Sequence, residues 1–253
     1  VGRIHLPVAS KCNIACNYCN RKIGIDHCYR PSIASRILAP REAYELLSSY
    51  SKKKWLKVAG IAGPGEPLFN SETFETLKLA HKAKEELILC ICTNGLLLPD
   101  YATRLAELGV KVVTITINAV QAEIAMKIYT YVKYRGRKLF GIEASKLLIS
   151  KQLEGIEKAS QMNMLVRVNS ILIPTLNDKH MIEVAKAVAD RGANIQNIMP
   201  LIPLAKFKAL RSPSLWEIQR VREKCEHFLP QFKHCKQCRA DSIGIPGLEL
   251  FKH

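Results

Sequence analysis

Arg3-Ile4-His5-Leu6-Pro7-Val8-Ala9 runs directly into Ser10-Lys11-Cys12-Asn13-Ile14-Ala15-Cys16-Asn17-Tyr18-Cys19, and this junction decides the fold. The first seven residues alternate, with Ile4, Leu6 and Val8 on one face and Arg3, His5 and Pro7 on the other, as in a β-strand. β-rich and helix-periodic segments then alternate to the end of the chain. Further strands are expected at 55–62, 86–92, 111–118, 165–173 and 194–201. Helices are expected at 41–51, 71–84, 100–108, 121–134, 144–161, 178–191 and 213–227. Pro40, Ser71 and Asp100 stand where helices should start, and Gly109 and Gly192 where they should stop.

Six βα units in series predict a parallel sheet with right-handed crossovers. A closed barrel of this kind needs eight strands. The expected class is therefore α/β, an open six-stranded (β/α)6 three-quarter TIM barrel over residues 1–230. A C-terminal cysteine-bearing tail, 231–253, is expected to fold back over one end.

Strand parity predicts what lines the interior. Leu87, Leu89 and Ile91 oppose Ile88, Cys90 and Cys92; Val113, Ile115 and Ile117 oppose Val112, Thr114, Thr116 and Asn118; Arg167 and Asn169 oppose Val166 and Val168. The aliphatic faces belong under the helices, so His, Cys, Thr, Asn and Arg converge in the lumen. Burying such groups is costly unless they have partners or ligands. The lumen is thus a candidate active site, opening at the carboxyl ends of the strands.

The chain has 253 residues, 48% hydrophobic and 24% charged, which excludes global disorder. No apolar run reaches the roughly 18 residues of a membrane helix. The start, Val1-Gly2-Arg3-Ile4-His5, shows no secretory pattern and no initiator Met, and reads as part of a cytoplasmic protein. Lys and Arg number 38 against 22 Asp and Glu, a net +16 that favours anionic partners. Nine cysteines, grouped as Cys12/Cys16/Cys19, Cys90/Cys92 and Cys235/Cys238, argue against a disulfide framework and for soft-metal ligation.

Cys12-x3-Cys16-x2-Cys19 can hold three irons of a cubane and leave the fourth open. Zinc is the alternative, but it normally takes four ligands from paired, separated modules. With Gly63-Pro64-Gly65-Glu66-Pro67 at the end of the second strand, the segment resembles the radical S-adenosylmethionine (SAM) superfamily. That resemblance implies that the open iron chelates SAM and that Gly63, Gly65 and Glu66 meet its methionine amine. Thr93, Asn94, Asn118, Arg167 and Asn169, near strand ends, would contact the rest of SAM.

Arg3 to Ala9, Asn17-Tyr18-Cys19-Asn20-Arg21-Lys22, Ala62 to Leu68, Thr116-Ile117-Asn118-Ala119, Asn169 to Pro174 and Cys235-Lys236-Gln237-Cys238-Arg239-Ala240-Asp241 resemble the NifB family of nitrogenase-cofactor maturases. The resemblance spans essentially the whole chain. It implies that two further [4Fe–4S] clusters are substrates, fused around a SAM-derived carbon into an eight-iron, nine-sulfur carbide. One SAM would donate a methyl group to a cluster sulfide, and a second would supply the radical that abstracts hydrogen from it.

His5, Cys28 and Cys92 match ligands of one substrate cluster, and Cys235 and Cys238 of the other. The family also has a cysteine upstream of the first strand, and none precedes Arg3 here. His5, once released from iron, is a candidate base. His27 and His234 neighbour ligand cysteines in loops, Cys90 and Cys225 are expected to be packing residues, and Arg3, Arg167 and Arg239 would offset cluster charge. Implied partners are an iron–sulfur cluster donor, an electron donor and an acidic carrier or scaffold for the product.

Two other readings compete. A radical SAM enzyme with auxiliary clusters acting on a peptide or nucleotide would not place His5 in the lumen. A metal-stapled nucleic-acid module fits the charge but not the six-unit α/β pattern.

Overall fold

The computed structural model describes residues 1–25, 28–83 and 86–250. In chain order the first half comprises β1 (Gly2–His5), β2 (Ile14–Cys16), β3 (Lys22–Ile23), β4 (Ile33–Ala34), α1 (Pro40–Tyr50), β5 (Leu56–Ile61), α2 (Ser71–Ala83), β6 (Ile88–Thr93), α3 (Leu98–Glu107) and β7 (Val110–Thr116). There follow α4 (Ala122–Ile128), β8 (Tyr129–Tyr134), β9 (Arg137–Leu139), α5 (Gly141–Gln161), β10 (Leu165–Leu172), α6 (Met181–Ala189), β11 (Ile195–Pro200), α7 (Leu215–Glu226), β12 (Ile243–Ile245) and β13 (Leu248–Glu249).

The principal sheet runs β11-β10-β7-β6-β5-β1-β12-β13. Its six parallel strands follow one another in chain order, the arrangement of a partial barrel. The faces separate as parity requires. Ile4, Leu89, Ile91, Val113, Ile115, Val166 and Val168 are buried in one apolar layer under the helices. Helix boundaries follow local chemistry: Glu42 caps the Ala39 N–H at the start of α1, and Ser214 and Glu217 form a capping box on α7. Gly109, at φ +81°, turns the chain out of α3.

Two expectations are corrected. The helix expected at 121–134 stops at Ile128, and Tyr129-Thr130-Tyr131-Val132-Lys133-Tyr134 is a strand. These aromatic and β-branched residues favour the pleated sheet. Arg135 and Gly136, both at positive φ, make the two-residue turn into β9. The tail, expected over a barrel end, instead adds strands beside β1: β12 pairs antiparallel with it, Arg3 opposite Gly244 and Ile4 opposite Ile243, and β13 extends the ladder. The sheet therefore has eight strands rather than six. Its addition covers what would otherwise be an open strand edge.

Candidate active site

The cysteine segment is not a free loop. Its central residues form β2, held antiparallel against β8 with Ile14 opposite Val132 and Cys16 opposite Tyr129. Ile14, Tyr129 and Val132 bury themselves together with Leu148 of α5, which pins the segment to the barrel. Cys12, Cys16 and Cys19 are half-buried. Burial, with Glu66 adding, pushes the Cys12 thiol up to about 11. Burial and the neighbouring Cys19 and Cys12 raise Cys16 well above the ordinary value, against a hydrogen bond from Tyr18.

The Cys12 and Cys16 thiols resist ionising on their own, and a cationic iron–sulfur core would offset that resistance and displace their protons. Among the described residues no three His, Cys, Asp or Glu side chains converge closely enough for a single ion. The thiols of a cubane each meet a different iron. Asn13, fully buried between Cys12 and Ile14, also carries an Nδ2 donor without a protein partner. The donor set fits a [4Fe–4S] cluster.

The turn after β5 grips this segment from the other side. Gly65 N donates to Ala9 O (2.7 Å) and Glu66 N to Lys11 O (2.8 Å). A Cβ on Gly65 would collide with the Lys11 carbonyl, so only glycine allows the approach. Asn70 completes the seam, donating to both Lys11 O (2.9 Å) and Glu66 O (2.7 Å). Glu66 is 3% exposed. Its carboxylate accepts from Leu68 N (3.1 Å), Thr93 Oγ1 (2.5 Å) and Asn94 N (2.6 Å). Burial outweighs these bonds and lifts its pKa to about 7. Each oxygen retains acceptor capacity for an ammonium.

Deeper in the lumen, His5 lies opposite Gly60, and Gly60 opposite Cys90. A Cβ on Gly60 would stand 3.3 Å from the His5 ring, so this glycine makes room for the imidazole. His5 Nδ1 is 2.9 Å from the carbonyl oxygen of Arg239. A carbonyl only accepts, so Nδ1 carries the proton and Nε2 presents its lone pair, the state of an imidazole ligand. Burial depresses the His5 pKa to about 4. That favours ligation over proton abstraction at neutral pH.

Cys92, one layer nearer the mouth, sits below the ordinary thiol value, chiefly because the Cys90 thiol donates to it, with Arg167 and Thr114 adding. Cys90 is therefore a partner of Cys92 rather than mere packing. Arg167 itself donates to Thr114 Oγ1 (3.1 Å) and stacks over Phe232, which places it among the deep lumen groups.

The tail carries further candidates. Arg3 Nη2 donates to Cys238 Sγ (2.7 Å) and to Glu249 Oε1 (2.8 Å). Arg239 is ion-paired with Asp241 and donates to Cys28 O (2.8 Å) and Ser35 Oγ (3.0 Å). One arginine thus ties His5 and the exposed Cys28 to the tail, while its charge is largely spent on Asp241. Cys235 lies close enough to Cys238 to act on it electrostatically, and lines a cavity of about 550 Å³ with Arg222 of α7 and Gln237. Cys225 is buried structural core, and His27 lies outside the described residues.

Several expected SAM contacts have other work. Thr93 holds Glu66, and the Asn94 side chain bonds Asn13 Oδ1 (2.7 Å) and Leu96 N (2.9 Å). Asn118, fully buried, donates to Tyr18 OH (3.0 Å) and Tyr129 OH (3.1 Å) and accepts from Ile171 N (2.8 Å). Its amide is used up in joining the cysteine segment to the barrel. Asn169 Oδ1 accepts from Asn197 Nδ2 (3.0 Å). Sequence reasoning missed Asn13, Asn70 and Tyr129. Only the buried asparagine next to Cys12 had a visible signal, its place inside the cysteine run.

The superfamily model for radical SAM proteins matches residues 6–188. Solved structures agree on the fold: SuiB of Streptococcus suis superposes with a TM-score of 0.67 at 10% identity over 91% of this chain and 48% of that one. A radical SAM methyltransferase from Sphaerobacter thermophilus gives 0.59 at 17% identity over 91% of this chain and 64% of that one. Fold and site thus define a radical SAM enzyme. Within that class, the chain is 47% identical over 247 residues to the FeMo cofactor biosynthesis protein NifB of Methanocaldococcus jannaschii, covering 97% of this chain and 82% of the relative. It is 43% identical to NifB of Klebsiella pneumoniae over 97% of this chain, which spans 54% of that longer protein. The chain belongs to the NifB family of radical SAM proteins.

Proposed function

We propose that this chain builds the iron–sulfur–carbide core of nitrogenase cofactor, joining two [4Fe–4S] substrate clusters inside the lumen around a carbon taken from SAM. The observation that carries the reading is the Arg239 junction. It ties the His5 ring, the backbone of Cys28 and the tail next to Cys238 to one another.

Cys12, Cys16 and Cys19 would hold the resident cluster. When bound, it supplies an electron to the sulfonium of SAM, releasing methionine and a 5′-deoxyadenosyl radical. Glu66, with Gly63 and Gly65, receives the SAM ammonium at the mouth. His5, through Nε2, joins Cys28 and Cys92 on one substrate cluster, and Cys235 and Cys238 take part of the second. Arg167, next to Cys92, and Arg3, next to Cys238 and paired with Glu249, would supply positive charge where anionic clusters gather. A base role for His5 is confined to the interval after it leaves iron, since its lowered pKa makes it a weak acceptor.

An electron donor, a cluster donor and a product carrier are required by this chemistry. No helix is long and apolar enough to cross a membrane among the described residues. The test is to incubate the anaerobically reconstituted protein with SAM carrying a ¹³C methyl group and a reductant. Label in the protein-bound cluster together with 5′-deoxyadenosine is expected. 5′-Deoxyadenosine without label in any cluster would return the chain to the class acting on organic substrates.

A further inference from the structure

The β8–β9 hairpin contributes nothing to the barrel wall, yet it lies against the cysteine strand and concentrates positive charge. From Tyr129 to Phe140 the sequence has four basic residues and no acidic one. Lys133 and Lys138 stand directly opposite each other in the ladder. Like charges in that position destabilise a strand pair. Among the described residues neither pairs with a carboxylate, whereas Arg137 does, with Glu143. Both ammonium groups gather around Tyr131, Lys138 Nζ at 4.3 Å and Lys133 Nζ at 5.9 Å from its ring centre, with exposed Phe140 beside them. Lysine on an edge strand such as β9 blunts aggregation. That account does not cover Lys133, which is on the central strand of its sheet.

We infer that this hairpin face is the docking surface for an acidic, low-potential electron-transfer protein. Its position argues for this partner over others: Lys133 N donates to Asn13 O (2.7 Å), one residue from Cys12, and Ala15 lies opposite Tyr131. Neighbouring strands are about 5 Å apart. A carboxylate-rich protein neutralising the two lysines is therefore brought against the segment that holds the resident cluster. The donor is oxidised by one electron for each SAM cleaved, and the carbon–sulfur bond breaks with an electron pair left on the methionine sulfur and the unpaired electron on the 5′-carbon. A nucleic acid would find the same charge but has no reason to lie beside the cysteine strand.

The inference rests on the radical SAM reading of the cysteine segment, and the experiment separates the two. Reconstituted protein is supplied with SAM and either dithionite or a pre-reduced acidic [4Fe–4S] ferredoxin, and 5′-deoxyadenosine is followed. The Lys133→Gln/Lys138→Gln protein relieves the repulsion and should fold at least as well. Its ferredoxin-driven rate should fall about tenfold at low salt, with the dithionite-driven rate unchanged. Lys133→Arg/Lys138→Arg should retain the wild-type rate, and added salt should slow the wild type but not the Gln protein. Equal ferredoxin-driven rates in wild type and the Gln protein overturn the docking face. Lysine-dependent binding of a short RNA oligonucleotide, with ferredoxin unaffected, overturns it in favour of nucleic acid. No product with dithionite in the wild type points instead to failure of the radical SAM reading.

Discussion

The imidazole of His5, on the first strand, is fixed by the backbone of Arg239, 234 residues later: Nδ1 lies 2.9 Å from that carbonyl oxygen. The Arg239 guanidinium is in turn locked by Asp241, Ser35 and the Cys28 carbonyl. Replacing Arg239 with Ala leaves Asp241 half-buried without its cation, at a cost of about 3 kcal/mol. The account expects lower thermal stability and about four fewer bound irons. The His-derived ¹⁴N coupling should disappear from the pulsed EPR spectrum while the SAM-responsive signal survives. Unchanged nitrogen coupling in Arg239→Ala would show that the Arg239 guanidinium is not what holds this carbonyl against His5.

Glu66 gives the SAM site a pH dependence. With its pKa lifted to about 7 by burial, the carboxyl holds a proton below that pH in the SAM-free protein. Ammonium binding needs the ionised form. Apparent SAM affinity should therefore rise with pH up to about 7, by about tenfold per unit on the acid side, and fall again above about 8 as the α-amino group of SAM loses its proton. Equilibrium dialysis between pH 5.5 and 8.5, values chosen to span about 1.5 units either side, measures it. Glu66→Gln should bind weakly and without that slope.

Gly65→Ala tests the seam between the turn and the cysteine segment. The added Cβ meets the Lys11 backbone, which is itself bonded to Glu66 and Asn70 and has nowhere to yield. A loss on the order of 3 kcal/mol is expected, together with loss of the SAM-induced EPR change. A melting midpoint matching wild type would mean the two segments are not held as described.

Asn118 is the tie between Tyr18 and Tyr129. Asn118→Ala takes one partner from each of the Tyr18 and Tyr129 hydroxyls and leaves the Ile171 N–H without its acceptor, at about 1–3 kcal/mol for the group left unpaired. If Asn118 acts through this tie, Tyr18→Phe should reproduce part of the iron loss. A variant that keeps its cluster but loses SAM affinity would instead place Asn118 in direct contact with SAM.

Much of this was legible in the sequence because period-two alternation is a local property. The parity of Ile4/Leu6/Val8 against Arg3/His5, and of Leu89/Ile91 against Cys90/Cys92, placed the apolar layer and the lumen groups correctly. The hairpin was hidden because Ile124, Ile128 and Tyr131 stand at helical spacing in the sequence, and Arg135-Gly136 is a weak turn signal. The partners of Asn118 and Asn94 were hidden for a different reason. An asparagine at a strand end reads the same whether it meets a ligand or a tyrosine from a segment 100 residues away. The tail strands β12 and β13 are too short to announce themselves, and their pairing with β1 is non-local.

The central claim is that one lumen serves three clusters. Iron and sulfide per chain after anaerobic reconstitution, with EPR of the reduced protein before and after SAM, test it most directly. The account predicts about twelve irons, with SAM altering one signal only. About four irons with the same SAM response would contradict it, leaving His5, Cys28, Cys92, Cys235 and Cys238 without substrate clusters to hold.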